Sequence, residues 1–236
     1  MNNIRYYEIE AEQVDIFGNL REICFTDNIL RNISKTTKSL IDIACGDGYT
    51  IYTATKSKKH FIREAYGLDI SIKRLQKTKK FVPQSALIQG SILNLPFKSD
   101  SFDTVICSET IEHIRNYQTA LLELVRITKK ELIITVPNEE KLILERCPQC
   151  NTIFPANDHV NSFNAKDMKK TIELQNTNIK IKKILKFHTI YSYNNFTIKW
   201  PSNLRVTLDR IFVLLSNKIP FFKPNYLLIS IKKKRE

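Results

Sequence analysis

Residues 40–48, with the sequence LIDIACGDG, constrain the fold of this chain more than any other segment. The first half is a short apolar run, which is typical of a β-strand buried on both faces. The second half is rich in glycine, which lets the backbone turn tightly and approach a ligand closely. A strand that ends in such a turn and leads into a helix begins the nucleotide-binding crevice of open α/β sheets. The dinucleotide pattern G-x-G-x-x-G is not complete here, which argues against a dehydrogenase.

Further segments follow at spacings that suit alternating strands and helices. About 20 residues past the glycine turn, a second apolar run ends at Asp69, where a carboxylate can accept hydrogen bonds from ribose hydroxyls. The pattern predicts strands near 40–44, 65–69, 85–89, 103–107 and 131–136, and helices near 48–58, 71–80 and 116–129. Strands separated by helices predict parallel pairing with right-handed crossovers.

Residues 38–140 as an ordered set resemble the class I S-adenosylmethionine-dependent methyltransferases. The resemblance rests on the glycine turn, Asp69, the sequence LPF at 95–97, FD at 102–103 and EHI at 112–114. It is strongest to the small-molecule enzymes of the methyltransferase type 11 and ubiquinone-biosynthesis O-methyltransferase-like group. It implies a Rossmann-like, doubly wound, seven-stranded and mostly parallel sheet with helices on both faces and an antiparallel final strand. It also implies methyl transfer to oxygen or nitrogen of a small molecule, including lipid- or glycan-linked metabolites.

The resemblance also implies which residues bind the cofactor. Asp42 would meet the methionine end, Gly46 and Gly48 would let backbone contact the cofactor, and Asp69 would accept both ribose hydroxyls. Ser91 stands where the family usually has Asp, so a shorter, uncharged group would face the adenine amino group. The expected cofactor-binding set is Asp42, Ala44, Cys45, Gly46, Gly48, Asp69, Ile70, Ser91, Ile92, Cys107 and Ser108.

The segment after the fourth strand supplies the catalytic candidates, His113 and Glu109. With Glu112 they form the pattern E-x-x-E-H, which in the ubiquinone-biosynthesis enzymes is associated with a divalent metal. The same residues occur in relatives without a metal, so a pocket role and a metal role both stay open. His113 is the candidate general base, because an imidazole titrates near neutral pH.

Cys147 and Cys150 form a C-x-x-C pair, which is half of a zinc site. His159 follows nine residues later and is the candidate third ligand. The alternatives are a structural zinc held by Cys147, Cys150 and His159, a His159 that faces the active site instead, and a reduced loop without metal. Five cysteines, an odd number, do not indicate a disulfide framework.

The basic charge is concentrated in the C-terminal third. Residues 1–162 contain 21 Lys and Arg against 20 Asp and Glu, whereas residues 163–236 contain 16 against 4. Such a surface could attract nucleic acid or anionic membrane lipids, or it could be a solvated face. An RNA-directed methyltransferase is therefore one alternative function. A non-catalytic cofactor-binding protein is another, and Ser91 is the residue that supports it. The acids at 109 and 112 suit a polyanion poorly, so a nucleic-acid partner is disfavoured.

The chain is expected to form one methyltransferase domain, 1–236, with an N-terminal helical extension at 1–38. Insertions are expected at 139–162 and 194–225, and the second one has an amphipathic stripe. The 194–225 segment has three interpretations: a lid over the acceptor, a contact with another subunit, and an interfacial membrane helix. The pattern further predicts helices at 19–33 and 164–176 and strands at 179–193 and 226–234. With neither a signal peptide nor a membrane-spanning run in the sequence, cytoplasm is the expected compartment.

Overall fold

The structure is a computed structural model, and it describes residues 7–9, 11, 20–155, 157–175, 178–187 and 224–234. The α-helices are α1 (Leu20–Asn32), α2 (Tyr49–Lys56), α3 (Ile72–Phe81), α4 (Tyr117–Ile127) and α5 (Ala165–Gln175). The strands are β1 (Ser39–Ile43), β2 (Glu64–Asp69), β3 (Ala86–Gln89), β4 (Phe102–Ser108), β5 (Thr128–Pro137), β6 (Leu144–Arg146), β7 (Ile153–Pro155), β8 (Ile179–Phe187) and β9 (Tyr226–Lys233).

Seven of these strands form one sheet in the order β3-β2-β1-β4-β5-β9-β8. Strands β1 to β5 run parallel to one another, and β9 pairs antiparallel with both β5 and β8. The predicted doubly wound, mostly parallel sheet is therefore confirmed, including the antiparallel final strand. The order changes direction between β1 and β4, which is where open α/β sheets bind their ligands.

Alternate residues of the central strands enter two separate cores, one on each face of the sheet. Burying one large aliphatic side chain stabilises a fold by about 1.5–3 kcal/mol, so this two-sided burial explains the apolar runs in the sequence. One face packs Ile41, Ile43, Val105, Cys107, Leu132, Ile134 and Val136, and the other packs Leu40, Ile106, Ile133 and Leu228.

Helix α1 covers the second of these faces. Phe25 of α1 makes edge-to-face contacts with Phe187 and Tyr226, with ring centroids 5.3 and 4.7 Å apart. Ile29 and Ile33 join the same core. The predicted amphipathic helix at 19–33 is thus present, and its packing fixes α1 beside the edge of the sheet at which β1 ends.

The segment at 139–162 contains a feature that the sequence did not predict. Strands β6 and β7 pair antiparallel as a short separate ribbon, with Cys147 and Cys150 in the turn between them. The segment then returns to the sheet, because the backbone N–H groups of Val160 and Asn161 donate to the carbonyl oxygen of Glu112 at 2.8 and 3.1 Å.

The second expected insertion lies outside the described residues, apart from 224 and 225. The predicted strand at 179–193 is described as far as Phe187. Among the described helices, none offers an apolar stretch that is long enough to traverse a lipid bilayer.

Candidate functional site

The carboxyl ends of the parallel strands open into a cleft of about 1110 Å³. Its walls come from the ends of β1, β2 and β4, from α1, and from the segments after β3 and β5. This is the edge at which parallel α/β sheets bind ligands, and the volume is on the order of the roughly 300–1,000 Å³ of small-molecule sites. Twelve predicted site residues line the cleft: Asp42, Ala44, Cys45, Gly46, Asp69, Ile70, Ser91, Ile92, Ser108, Glu109, His113 and His159.

The glycine turn after β1 requires glycine for both conformation and space. Gly46 and Gly48 have φ angles of 54° and 83°, in the left-handed region that side chains disfavour. A Cβ atom at Gly48 would lie 2.3 Å from Cγ2 of Thr78 on α3. The Thr78 hydroxyl in turn donates to the carbonyl oxygen of Gly46 at 2.8 Å. Gly48 therefore shapes the turn from behind and is not itself a lining residue of the cleft.

Asp69 is held at the end of β2 by backbone donors. The N–H groups of Gly46 and Ser71 each donate to one of its carboxylate oxygens at 2.9 Å. Burial raises the pKa of Asp69 to about 6, although these backbone hydrogen bonds and Arg74 act in the opposite direction. Since a carboxylate has about four acceptor sites, Asp69 can hold this position and still accept two further hydrogen bonds.

A second carboxylate, Asp42, lies under the turn and is 4 % exposed. Burial raises its pKa well above the ordinary range, and the neighbouring charges of Glu22 and Asp69 raise it further. Glu22 comes from α1, so the N-terminal extension adds a carboxylate to the cleft. A cleft wall with three acids at close range favours a ligand that brings positive charge.

Asp47, the middle residue of the glycine turn, forms a buried ion pair below the cleft. Its carboxylate accepts a hydrogen bond from the Arg74 guanidinium at 2.8 Å, and the Lys77 ammonium lies 3.8 Å away. The side chains of Asp47 and Arg74 are 0 % and 5 % exposed. The pair ties the turn to α3, and Ser71 caps that helix by accepting from the Arg74 backbone N–H.

Ser91 and Ile92 line the cleft beside the end of β3. The Ser91 hydroxyl accepts a hydrogen bond from the backbone N–H of Leu93 at 3.2 Å. Ser91 therefore lines the cleft with its hydroxyl engaged by the backbone, and its expected role beside the adenine stays a prediction.

Beyond β4, Ser108 and Glu109 meet at the hydroxyl of Thr135. The Ser108 and Thr135 hydroxyls lie 2.7 Å apart, and Thr135 donates to Glu109 at 3.3 Å. Glu109 has a φ of 50°, a conformation that directs the chain into the cleft wall. Cys107, the preceding expected residue, is fully buried in the sheet core and is not among the lining residues.

His113 and His159 come together across the far wall of the cleft. Their rings are 4.6 Å apart in an edge-to-face arrangement. Nδ1 of His113 lies 3.2 Å from the carbonyl oxygen of Asp158, and Nδ1 of His159 bonds the carboxylate of Glu140. These oxygen partners favour the tautomers in which Nε2 carries the lone pair, ready for a proton or a metal.

These two rings and the fully buried Glu112 form a group that could hold a metal ion. Their possible ligand atoms all lie within 4.8 Å of one another. No other group of three or more His, Cys, Asp or Glu side chains comes this close together among the described residues. The expected zinc set is therefore not assembled, because His159 faces Glu112 and His113 instead of Cys147 and Cys150. The two cysteines lie in the turn of the β6–β7 ribbon, outside the cleft.

Several lining residues were not found from the sequence. Because β5 ends at the same edge of the sheet as β1, the segment after β5 must reach the cleft. The sequence could therefore have indicated Glu139 and Glu140, which follow Asn138. Glu22 and Asp158 gave no such signal, because only packing brings α1 and residues 157–159 to the cleft. The unpredicted polar lining residues include Glu22, Thr26, Arg74, Asn138, Glu139, Glu140, Asn157 and Asp158.

Comparison with known proteins gives a consistent result. Residues 41–135 match the family model described as methyltransferase domain. The demethylmenaquinone methyltransferase of Streptomyces avermitilis is 35 % identical over 126 residues, which are 50 % of this chain and 52 % of that protein. An uncharacterised protein of Methanocaldococcus jannaschii is 40 % identical over 108 residues, 45 % of this chain and 44 % of that one. The chain thus spans about half the length of these curated relatives.

A solved structure matches over nearly the whole chain. It belongs to the complex between the Haloferax volcanii Trm112 methyltransferase activator and a methyltransferase, with a TM-score of 0.68 at 15 % identity. The match covers 97 % of this chain and 98 % of that one, and at this identity it shows the fold.

The fold and the cleft define a Rossmann-like α/β protein with a ligand site at the switch point of its sheet. The family match over residues 41–135 and the relatives aligned over about half of the chain support one group, the class I S-adenosylmethionine-dependent methyltransferases.

Proposed function

We propose that this chain transfers a methyl group from S-adenosylmethionine to oxygen or nitrogen of a small-molecule acceptor. The observation that carries the proposal is Asp69, held by backbone N–H groups beside the glycine turn and lining an open cleft. Its carboxylate suits the two ribose hydroxyls of the donor. Asp42 and Glu22 suit the ammonium at the methionine end, and Ile70 and Ser91 suit the two sides of the adenine.

Methyl transfer from a sulfonium is a direct displacement with a good leaving group. The protein has mainly to hold donor and acceptor in line and to exclude water, and this alone can supply about 7–11 kcal/mol of the barrier. No nucleophile from the protein is needed. The residues that matter most are therefore binding residues, together with one group that takes a proton from the acceptor.

For the proton we propose His113, as predicted, and add His159 with its partner Glu140. The contact between Nδ1 and the Glu140 carboxylate orients the His159 ring, so that Nε2 is the atom available to take a proton. Glu109 belongs to the same wall but is hydrogen-bonded to Thr135, so a supporting role suits it better than proton transfer.

Replacing His159 by Gln is expected to slow methyl transfer by about 10²-fold, within the range for general acid–base catalysis. The measurement is the rate of tritium transfer from methyl-labelled S-adenosylmethionine to an unfractionated extract of small metabolites. Calorimetry should give the same S-adenosylmethionine affinity for the variant and the parent, since His159 lies on the acceptor wall. A rate within threefold of the parent would exclude His159 as the base.

The alternative functions have less support. A cleft lined with acids opposes a nucleic-acid substrate, so RNA-directed methylation is not favoured. Contact with an anionic membrane through the basic C-terminal third stays a proposal. A structural zinc is not proposed, because His159 groups with Glu112 and His113 and leaves Cys147 and Cys150 as a pair. The name of one relative, a demethylmenaquinone methyltransferase, suggests a quinone-like acceptor, but the alignment with that protein covers only half of this chain.

Isothermal titration calorimetry with S-adenosylmethionine and S-adenosylhomocysteine tests the donor. Binding of each with one site per chain and micromolar affinity is expected, and NADH serves as the control nucleotide. If neither sulfur compound binds, or if NADH binds as tightly, the proposed function is wrong. If both sulfur compounds bind but no small metabolite is methylated, the result favours the alternative of a non-catalytic cofactor-binding protein.

A further inference from the structure

The C-x-x-C sequence at the tip of the β6–β7 ribbon has no part in the proposed methyl transfer. Cys147 and Cys150 lie in the turn of the ribbon, outside the cleft. Cys147 is half-buried, Cys150 is exposed, and both are free thiols. In the part of the chain that the structure describes, no third ligand atom joins them in a metal site. The chemistry open to the two residues is therefore that of a pair of thiols.

The backbone of the turn holds these two residues next to each other. The N–H of Asn151 donates to the carbonyl oxygen of Cys147 at 2.9 Å, and the N–H of Cys147 donates to the carbonyl oxygen of Thr152 at 2.9 Å. The first bond closes an α-turn, which has the length of one helical turn. Residues three apart in a helical turn have Cβ atoms about 5–6 Å apart, and disulfides span Cα separations of about 4.4–6.8 Å. The turn therefore places the two sulfurs within reach of a bond.

Asn151, directly after the second cysteine, fixes this turn. It has a φ of 61°, a left-handed conformation that Asn tolerates better than most side chains do. Arg146 of β6 donates to the side-chain oxygen of Asn151 at 2.8 Å. Because the turn is braced in this way, the two thiols are positioned before any reaction. Such positioning raises the effective concentration of one reacting group toward the other.

Cys150 is the thiol that is suited to react first. Its side chain is exposed, and its sulfur lies 3.2 Å from the hydroxyl oxygen of Thr152. This hydroxyl, the backbone N–H of Thr152 and the Cys147 thiol lower the pKa of Cys150 from 9.0 to about 7. The thiolate is the nucleophilic form of cysteine, so an exposed thiol in this setting reacts readily near neutral pH.

We propose that Cys147 and Cys150 form a redox-active pair, which a low-molecular-weight disulfide oxidises reversibly to an intramolecular disulfide. The Cys150 thiolate attacks one sulfur of the small disulfide, so a mixed disulfide forms and one small thiolate leaves. Cys147 gives its proton to water and attacks the Cys150 sulfur, which expels the second small thiolate. Two electrons pass from the protein to the small disulfide, which becomes two thiols. A small dithiol reverses both steps, because exposed disulfides are the labile ones.

The other three cysteines provide an internal reference for this reaction. Cys24, Cys45 and Cys107 are only 8 %, 5 % and 0 % exposed. Burial raises the pKa of Cys45 and of Cys107 above the ordinary value for a thiol. Buried thiols with raised pKa values are inert, so oxidation is expected at the ribbon and not in the core.

The test equilibrates the purified full chain with mixtures of reduced and oxidised glutathione. Free thiols are then alkylated in denaturant and counted by mass spectrometry. We expect all five cysteines to be alkylated at the reducing limit. At the oxidising limit we expect a bond between Cys147 and Cys150, located by peptide mapping, with the three buried cysteines still alkylated. Five free thiols at every ratio, a lasting mixed disulfide on the parent chain, or a bond between two chains would overturn the proposal. Zinc bound to the purified chain that prevents oxidation would overturn it as well.

Substitutions test the order of the two steps. Cys147→Ser should trap glutathione as a mixed disulfide on Cys150, whereas Cys150→Ser should react with glutathione at least about tenfold more slowly. Equal trapping by the two variants would contradict the assigned order.

The hydroxyl beside Cys150 gives a second, milder variant. Thr152→Val should slow oxidation at pH 7 by about 3- to 10-fold, because it removes a hydrogen bond to the thiolate. Thr36→Val, in the exposed loop before β1, is the matched control and should be oxidised like the parent. Equal rates for these two variants would contradict the activation of Cys150 by its neighbour. Because each measurement follows thiols and not methyl transfer, the result is independent of the proposed function.

Discussion

Substituting alanine for Asp69 should abolish S-adenosylmethionine binding in calorimetry, with a loss of affinity of at least about 10²-fold. A hydrogen bond to a charged group contributes about 1.5–3 kcal/mol, and the carboxylate is proposed to accept two from the ribose. The variant also frees the N–H groups of Gly46 and Ser71, which now donate to this carboxylate. Glu173→Ala on the exposed face of α5 is the control and should bind like the parent. A folded Asp69→Ala chain that binds within threefold of the parent would remove the basis of the proposed function.

The same carboxylate makes donor binding depend on pH. Burial raises the pKa of Asp69 from 3.8 to about 6, so the folded, ligand-free chain holds this proton more tightly than the unfolded chain does. The resulting stability is fully present below pH 3.8 and is lost as the pH rises through 6. The ribose needs the ionised form, so donor affinity should fall about tenfold per pH unit below 6. Asp69→Asn should bind weakly with a flatter pH profile, and a parent profile that is flat between pH 5 and 7 would contradict this assignment.

The second large effect is expected at the buried ion pair behind the glycine turn. Arg74→Ala should lower the free energy of unfolding by about 3–5 kcal/mol, because it removes the closest cation from a carboxylate with no exposed surface. Urea denaturation followed by circular dichroism measures the change. Lys77 lies farther away and stays partly exposed, so it cannot replace the guanidinium at the same distance.

The double variant separates the buried charge from lost packing. Asp47→Ala combined with Arg74→Ala removes both charges, so it should be more stable than Arg74→Ala alone. Lys169→Ala, which breaks an exposed pair with Glu173 on α5, should leave the unfolding curve unchanged. If the double variant loses the sum of the two single losses, the pair is not coupled and the explanation fails.

The central sheet was predictable because its strands are buried on both faces. Runs such as Leu40–Ile43 and Leu132–Val136 admit few other structures, and their order along the chain fixes the edge at which the cleft opens. The glycine turn comes directly after β1, and Asp69 ends β2, so both could be placed at that edge from the sequence. The residues proposed to bind the donor were therefore predictable from local sequence patterns. Their individual roles stay predictions.

The acceptor side depends on contacts that no local pattern carries. His159 and Glu140 are 19 residues apart, and the β6–β7 ribbon between them has three-residue strands with mostly exposed side chains. The C-x-x-C pair suggested a metal site with His159, because spacing alone cannot tell in which direction an imidazole points. Packing against the turn at Glu112 decides that direction. The division into one domain with two insertions also stays a prediction.

The two backbone hydrogen bonds from Val160 and Asn161 to Glu112 have a consequence for how such enzymes diversify. They anchor the returning end of the 139–162 segment to the turn after β4, while among the described residues the β6–β7 ribbon makes no comparable backbone hydrogen bond to β1, β2 or β4. Evolution, or a protein engineer, can therefore exchange the ribbon and its flanking acids as a cassette. A chain altered in this way would keep its proposed donor-binding residues and would bind different acceptors.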